Sequence, residues 1–355
     1  MDPDIAIVER SGEPPALIRP GQLITDLRGA GALGRWTHAA SEAGGVCTVR
    51  LTAGVDPLQV AADLGERGHI VSPNHVFVGQ PLWFGGPASR PVPAEPIAWT
   101  PGPEAPCGPQ VAVLDTGITE HPWWKPAPWF GEVGMSAAEL ADADHDGRLD
   151  PQAGHGTFIA GLLVRRAPGV RLRVLKVLDG HGVGDEARVL RALHRLRHDP
   201  PGILNLSFGG HTPGDRPPPL LAAALAGLTE SGTVAVACAG NTPSTRPFWP
   251  AALPGVIAVG ALDTAERAAA PFSAHGPWVD ACARGEWLAS SFLDTEGFRG
   301  YARWSGTSFA TALVSAAVAQ AARNGQAPAE AAAELLDPER GERVPGLGVV
   351  VPARL

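Results

Sequence analysis

The chain reads as an α/β protein, a doubly wound and mainly parallel sheet flanked by helices, preceded by a small α+β unit. Three observations predict it. The 355 residues, 45% of them hydrophobic, suffice for one large core and an appendage. From Gln110 onward, short apolar runs alternate with amphipathic helical patterns, the order that builds a parallel sheet. Between Gly85 and Pro109, a stretch crowded with proline and glycine can hardly enter a helix or a central strand and reads as a linker. The expected division is residues 1–90, a linker over 91–109 and a large domain over 110–355.

In the first unit VCTVRLT (Val46 to Thr52) alternates like a strand, DPLQVAADLGER offers Asp56 as N-cap and Pro57 as first helical residue, and HIVSPNHVFV returns as extended chain. This is a β-α-β segment. In the large domain QVAVLD (Gln110 to Asp115), RLRVLKVL (Arg171 to Leu178), ILNLS (Ile203 to Ser207), TVAVACA (Thr233 to Ala239) and VIAVGAL (Val256 to Leu262) are hydrophobic on both sides, as buried parallel strands require. DEARVLRALHRLRH sets Val189, Leu190, Leu193 and Leu196 on one helix face and Arg188, Arg191 and Arg195 on the other. GTSFATALVSAAVA (Gly306 to Ala319) is an Ala-rich helix expected to end near Asn324-Gly325.

The net charge of −8 carries no basic excess, which argues against nucleic acid or an anionic membrane as partner. No window approaches the ~18 uninterrupted apolar residues of a membrane span. The start, MDPDIAIVERSGEPP, lacks the basic and apolar regions of a secretory signal, so a cytoplasmic protein is the expectation, with export by another route as the alternative. Cys47, Cys107, Cys238 and Cys282 are too far apart for a CxxC site and are expected as buried free thiols.

In a doubly wound sheet the site lies at the carboxyl ends of the strands. Asp115 stands at such an end, before Thr116-Gly117; His155 stands between two glycines in GHGTFIAG; Ser308 follows Gly306-Thr307 at the start of the Ala-rich helix. Each alone has a structural explanation, as turn residue, core histidine or N-cap. Together they supply a carboxylate, a base and a nucleophile. A serine hydroxyl attacks only when an imidazole takes its proton, and a carboxylate fixes that imidazole's tautomer.

The motifs VLDTG, GHGTFIAG and GTSFATALVSAA, in the order Asp, His, Ser, together with VACAGN ending in Asn241, resemble the subtilisin-like serine proteases, the subtilase family. The resemblance runs from about Val111 to the C-terminus. It implies a serine endopeptidase with an acyl-enzyme intermediate, Asp115, His155 and Ser308 as its triad and Asn241 as oxyanion donor, requiring no cofactor. Sedolisins, which share the fold, carry acidic residues at the His155 and Asn241 positions and are disfavoured. Ala312 stands where the family commonly has proline.

The resemblance also implies an extended peptide substrate paired with two backbone edges: Ser207, Phe208, Gly209 and Gly210 on one side, and Gly180 and Gly182 of GHGVG on the other. Phe248 falls at the floor of the P1 pocket, where it would favour small P1 residues; the alternative is that it turns into the core. DADHDGRLD has the alternating oxygens of a calcium loop, with Asp142, Asp144, Asp146 and Asp150 as ligands, although Ala153 replaces the bidentate glutamate. A solvated acidic loop is the alternative. The N-terminal unit resembles subtilase prodomains and is expected to inhibit intramolecularly, with its junction between Pro91 and Gly108, or else to persist as a lid or substrate-recognition module. Two other functions stay open: a dedicated precursor-processing protease or transpeptidase using the same triad, and an inactive peptide-binding protein.

Overall fold

Strands that are apolar on both faces must be covered on both, and the large sheet is. A computed structural model describes residues 4–9, 12–79, 90–100, 108–295 and 297–353. The N-terminal unit contains β1 (Ala6–Val8), β2 (Ala16–Thr25), α1 (Leu27–Ala32), β3 (Thr37–Ala43), β4 (Val46–Leu51), α2 (Pro57–Glu66) and β5 (Val71–Val78). Asp56 caps α2 by accepting from Leu58 N–H at 2.9 Å, with Pro57 opening the helix. The β-α-β segment is split. Strands β4 and β5 both pair antiparallel with β2, which lies between them.

The expected linker is not a free spacer over its described part. Val92–Pro93 forms β6, and Ile97 and Trp99 pack on the large core. Two residues of pairing suit a proline-containing edge, because proline has no N–H to give a ladder. Then follow β7 (Gln110–Asp115), α3 (Pro128–Gly131), α4 (His155–Arg166), β8 (Arg171–Lys176), β9 (Val183–Asp185), α5 (Glu186–Leu196), β10 (Ile203–Leu206), α6 (Pro219–Glu230), β11 (Val234–Cys238), β12 (Val256–Leu262) and β13 (Ala281–Arg284). The hairpin β14 (Leu288–Thr295) and β15 (Phe298–Trp304), to which β6 adds, leads into α7 (Thr307–Ala321), α8 (Pro328–Leu335), β16 (Arg343–Val344) and β17 (Gly348–Val350).

The main sheet runs β16-β17-β13-β12-β11-β10-β7-β8 and is parallel except at the β16–β17 edge. One face carries α4 and α7, the other α5 and α6. Helix α7 is buried all round from Thr307 to Ala319, as its Ala, Val and Leu composition requires. A short 3₁₀ turn follows α7, and Gly325 ends it at φ 85°.

The N-terminal sheet does not stand apart. Its outer strand β5 pairs antiparallel with β9 of the large domain, Phe77 opposite Gly184. Ile24, Val46 and Phe77 join the core formed by α5 and α6. Cys47, Cys238 and Cys282 are free and buried. Cys107 lies outside the described residues.

Candidate functional site

Asp115 ends β7 and His155 begins α4, and the sequence brings these two ends together through glycine. A Cβ on Gly156 would stand 2.1 Å from the carbonyl oxygen of Gly117. Only a glycine there lets the helix start approach the turn after Asp115. Across that contact Asp115 Oδ1 and His155 Nδ1 lie 2.7 Å apart, both side chains fully buried. Asp115 Oδ1 also accepts from Thr116 N–H at 2.8 Å. A carboxylate on Nδ1 leaves Nε2 as the basic nitrogen, and His155 Nε2 is buried with no hydrogen bond among the described residues.

Ser308 is the second residue of α7. Its hydroxyl donates to the carbonyl of Ser207 at 3.2 Å rather than to His155. The Phe309 ring stands 5.3 Å from the His155 ring, which sets the start of α7 beside the imidazole. Catalytic hydrogen bonds commonly tighten only with substrate present. Behind Ser308, burial pushes the Cys238 thiol up to about 12, which leaves it a packing group.

Asn241 follows β11. Its Oδ1 accepts from both Thr307 N–H at 2.8 Å and Thr307 Oγ1 at 2.9 Å, so its amide nitrogen is the group left to donate to a ligand. A buried polar chain unnoticed in the sequence holds α7 in register: Ser315 Oγ donates to Asn205 Oδ1, Asn205 Nδ2 to Ser207 Oγ, and Ser207 Oγ to the Ser308 carbonyl, at 2.9, 2.9 and 3.1 Å. A serine inside an Ala/Val helix was the available signal.

The two expected backbone edges are not vacant, because the chain's own β5 and its next residue lie between them. Val78 exchanges both backbone hydrogen bonds with Gly209, at 2.8 and 3.0 Å, and Gly79 N–H donates to the Gly182 carbonyl at 2.9 Å. Phe77 is fully buried against Phe208, ring centroids 6.0 Å apart. Two other expected groove residues serve elsewhere. The Gly180 carbonyl accepts from Gln152, and Gly210 pairs with Trp249.

His75 and Glu186, also missed, form a buried pair between β5 and α5 at 2.6 Å. Asn74 Oδ1 next to it accepts from Ala187 N–H at 3.1 Å. Phe248 is half-buried and lies between Gly209 and Gly240, where a Cβ would come within 2.4 and 3.2 Å of its ring. It lines a cavity of about 450 Å³ shared with Asn241, Thr307 and Gly79.

The four expected calcium ligands do not converge as one set. Asp142, Asp144 and Asp146 bring oxygens within 4.8 Å of one another, whereas Asp150 groups with Asp144 and His181. Asp142 and Asp146 also accept backbone N–H groups of the loop itself, from Gly147 and Arg148, at 2.9 and 2.8 Å.

A family model described as the subtilase family, Peptidase_S8, matches residues 107–337. Among curated proteins the chain is 32% identical over 232 residues to the thermophilic serine proteinase of Bacillus sp. (strain AK1), covering 62% of this chain and 53% of that one. It is 29% identical over 230 residues to thermitase of Thermoactinomyces vulgaris, covering 62% and 76%. The chain thus spans about half the length of the first of these relatives. The crystal structure of a cold adapted subtilisin-like serine proteinase superposes with a TM-score of 0.54 at 25% identity, over 69% of this chain and 89% of the other.

Proposed function

Because the chain belongs to the subtilase family, we propose that it is a serine endopeptidase whose nucleophile is Ser308, whose base is His155 and whose orienting carboxylate is Asp115. The observation that carries this reading is the fully buried Asp115–His155 bond, with the basic nitrogen unpartnered beside the helix that starts at Thr307. Ser308 Oγ attacks the substrate carbonyl while its proton passes to His155 Nε2. The resulting oxyanion is met by the Asn241 amide and by N–H groups at the start of α7, where the helix dipole favours negative charge. His155 returns the proton to the leaving amine. Water then repeats the sequence on the acyl-enzyme.

The position of residues 76–79 supports a second part of the proposal. The N-terminal unit lies in the groove as a substrate-like strand, so a peptide must displace it before it can pair with Gly182 and Gly209. Phe248 narrows the cavity beside Asn241, which favours substrates with a small side chain before the cleaved bond.

Intact mass after treatment with a fluorophosphonate tests the chemistry. Wild type should take one adduct and Ser308→Ala none, and a peptide library should be cut after Ala or Gly before Phe or Leu. An unlabelled wild type overturns the reading. Calcium at Asp142, Asp144 and Asp146 would act as a stabiliser only: the thermal midpoint should fall with EDTA and return with calcium, and indifference to both removes calcium from the account.

A further inference from the structure

Glu139 is a buried acid beside the reacting groups for which the proposed chemistry has no use. It follows a short 3₁₀ turn, Met135–Ala137, that pairs with the chain just after Asp115: Ile118 N–H donates to Ala137 at 2.9 Å and Glu139 N–H to Ile118 at 3.2 Å. Its side chain reaches two segments at once. Oε1 accepts from the Thr116 hydroxyl and from Gly154 N–H at 2.9 Å; Oε2 accepts from the Thr157 hydroxyl and from Thr157 N–H at 3.1 Å. Each hydroxyl in turn accepts a backbone N–H, Thr116 from Gly156 and Thr157 from Thr119, both at 3.0 Å.

We propose that Glu139 is a positioning residue of the catalytic centre, tying the turn that carries Asp115 to the helix end that carries His155. The inference rests on the triad assigned above. The N–H groups of Gly154 and Thr157 lie at the start of α4, where a helix leaves its first donors unsatisfied. A cap usually comes from the residue before the helix, and here that residue is Gly154, without a side chain. A local cap would tie the helix only to itself. A carboxylate from the far side of the Asp115 turn ties it to Asp115.

The same two segments are joined by the Asp115–His155 bond, so any slip between them stretches that bond from its 2.7 Å. Both hydroxyls already accept backbone N–H groups; the Thr157 proton goes to Glu139, and the Thr116 proton points to Glu139 Oε1 with Asp115 Oδ1 at 3.2 Å as its second acceptor. Four donors converge on two oxygens, the arrangement of a carboxylate. Burial pushes its carboxyl up, and the hydroxyl and N–H bonds oppose that.

The test uses full-length Glu139→Gln, which keeps the shape but turns a donor toward a donor, and Thr116→Val, which removes the bridge, together with the hydroxyl's contacts to Asp115 Oδ1 and Gly156 N–H, while leaving Glu139 on α4. Circular dichroism and the thermal midpoint report folding. Two further readouts separate positioning from capping: the downfield proton resonance of the His155 Nδ1–H···Asp115 bond, and kinact against KI for a fluorophosphonate. In both variants the resonance should shift or broaden, and kinact should fall ~10–100-fold with KI unchanged, the scale of a small misplacement of a catalytic group.

Folded variants with a lowered midpoint but wild-type resonance and kinact make Glu139 a helix cap alone and overturn the inference. If Glu139→Gln does not fold, Glu139→Asp, which shortens the reach to Thr116 without altering the Thr116 contact to Asp115, decides on the same terms. A wild type that fails to label refutes the protease reading instead, and the resonance still decides whether Glu139 holds the pair.

Discussion

The molecule holds two buried imidazole–carboxylate pairs of nearly the same geometry. His155–Asp115 closes at 2.7 Å and His75–Glu186 at 2.6 Å, both through Nδ1 and both with side chains at most 4% exposed. Their surroundings differ. Asp115 is fixed by Thr116 N–H in a turn that Glu139 ties to α4, and the second nitrogen of its histidine is unpartnered beside Ser308's helix. Glu186 opens α5, where the helix dipole favours a carboxylate, and its Oε1 has no partner among the described residues. The first pair lies within the large domain; the second bridges the N-terminal strand β5 to it. A carboxylate on Nδ1 makes an imidazole a base only where Nε2 meets a nucleophile. Elsewhere the same pair is a joint between parts of the chain.

Breaking each pair should therefore have opposite consequences, and the effect on chemistry is the larger. Asp115→Asn should lower the rate of Ser308 acylation ~10⁴-fold, by analogy with the same change in a Ser-His-Asp triad, while β5 stays docked. His75→Leu leaves a carboxylate buried without its partner, which costs ~3–5 kcal/mol when the structure cannot relax. Here it can relax, because undocking β5 returns Glu186 to water.

Amide exchange in β5 should accelerate, peptide hydrolysis should rise, and kinact toward a fluorophosphonate should stay within about twofold, since the proposed triad is untouched. The double variant His75→Leu/Glu186→Leu should recover most of the docking. If His75→Leu instead slowed acylation as Asp115→Asn does, the two pairs would not be separable in function.

This division was half legible in the sequence, for physical reasons. Strands β7, β10, β11 and β12 are buried on both faces, which forces continuous apolar runs that no other environment requires. Asp115 and His155 stand in short glycine-flanked motifs because the backbone must approach closely there, Gly156 against Gly117. What escaped is long-range. His75 and Glu186 are 111 residues apart, and neither has a local pattern to mark it. Glu139 is one acid in the acid-rich run AELADADHDGRLD, and only its contacts with the distant Thr116, Gly154 and Thr157 distinguish it from its neighbours. Strand β6 is two residues long, and its pairing depends on where β15 passes.

A third buried imidazole, without a carboxylate, sharpens the comparison at a smaller scale. His121 is 3% exposed among Trp123, Trp124 and Tyr301, with Nδ1 accepting from Trp123 N–H at 3.3 Å and Nε2 donating to the Gly300 carbonyl at 3.2 Å. That arrangement uses one protonated and one bare nitrogen, so the ring is neutral. Burial pushes it down to about 4, partly opposed by the Gly300 carbonyl.

In the unfolded chain the same ring titrates near ~6.5, so between that pH and about 4 the unfolded state binds a proton that the folded state refuses. The stability this ring contributes is complete above ~6.5 and is lost as the pH falls toward 4, by about 3 kcal/mol. His121→Gln keeps a donor and an acceptor and cannot take up that proton. Urea unfolding at pH 7 and pH 4.5 should show wild type losing more stability than the variant over this interval. Equal losses would mean that the His121 ring accepts a proton in place, and that an imidazole in this interior needs no carboxylate to carry charge.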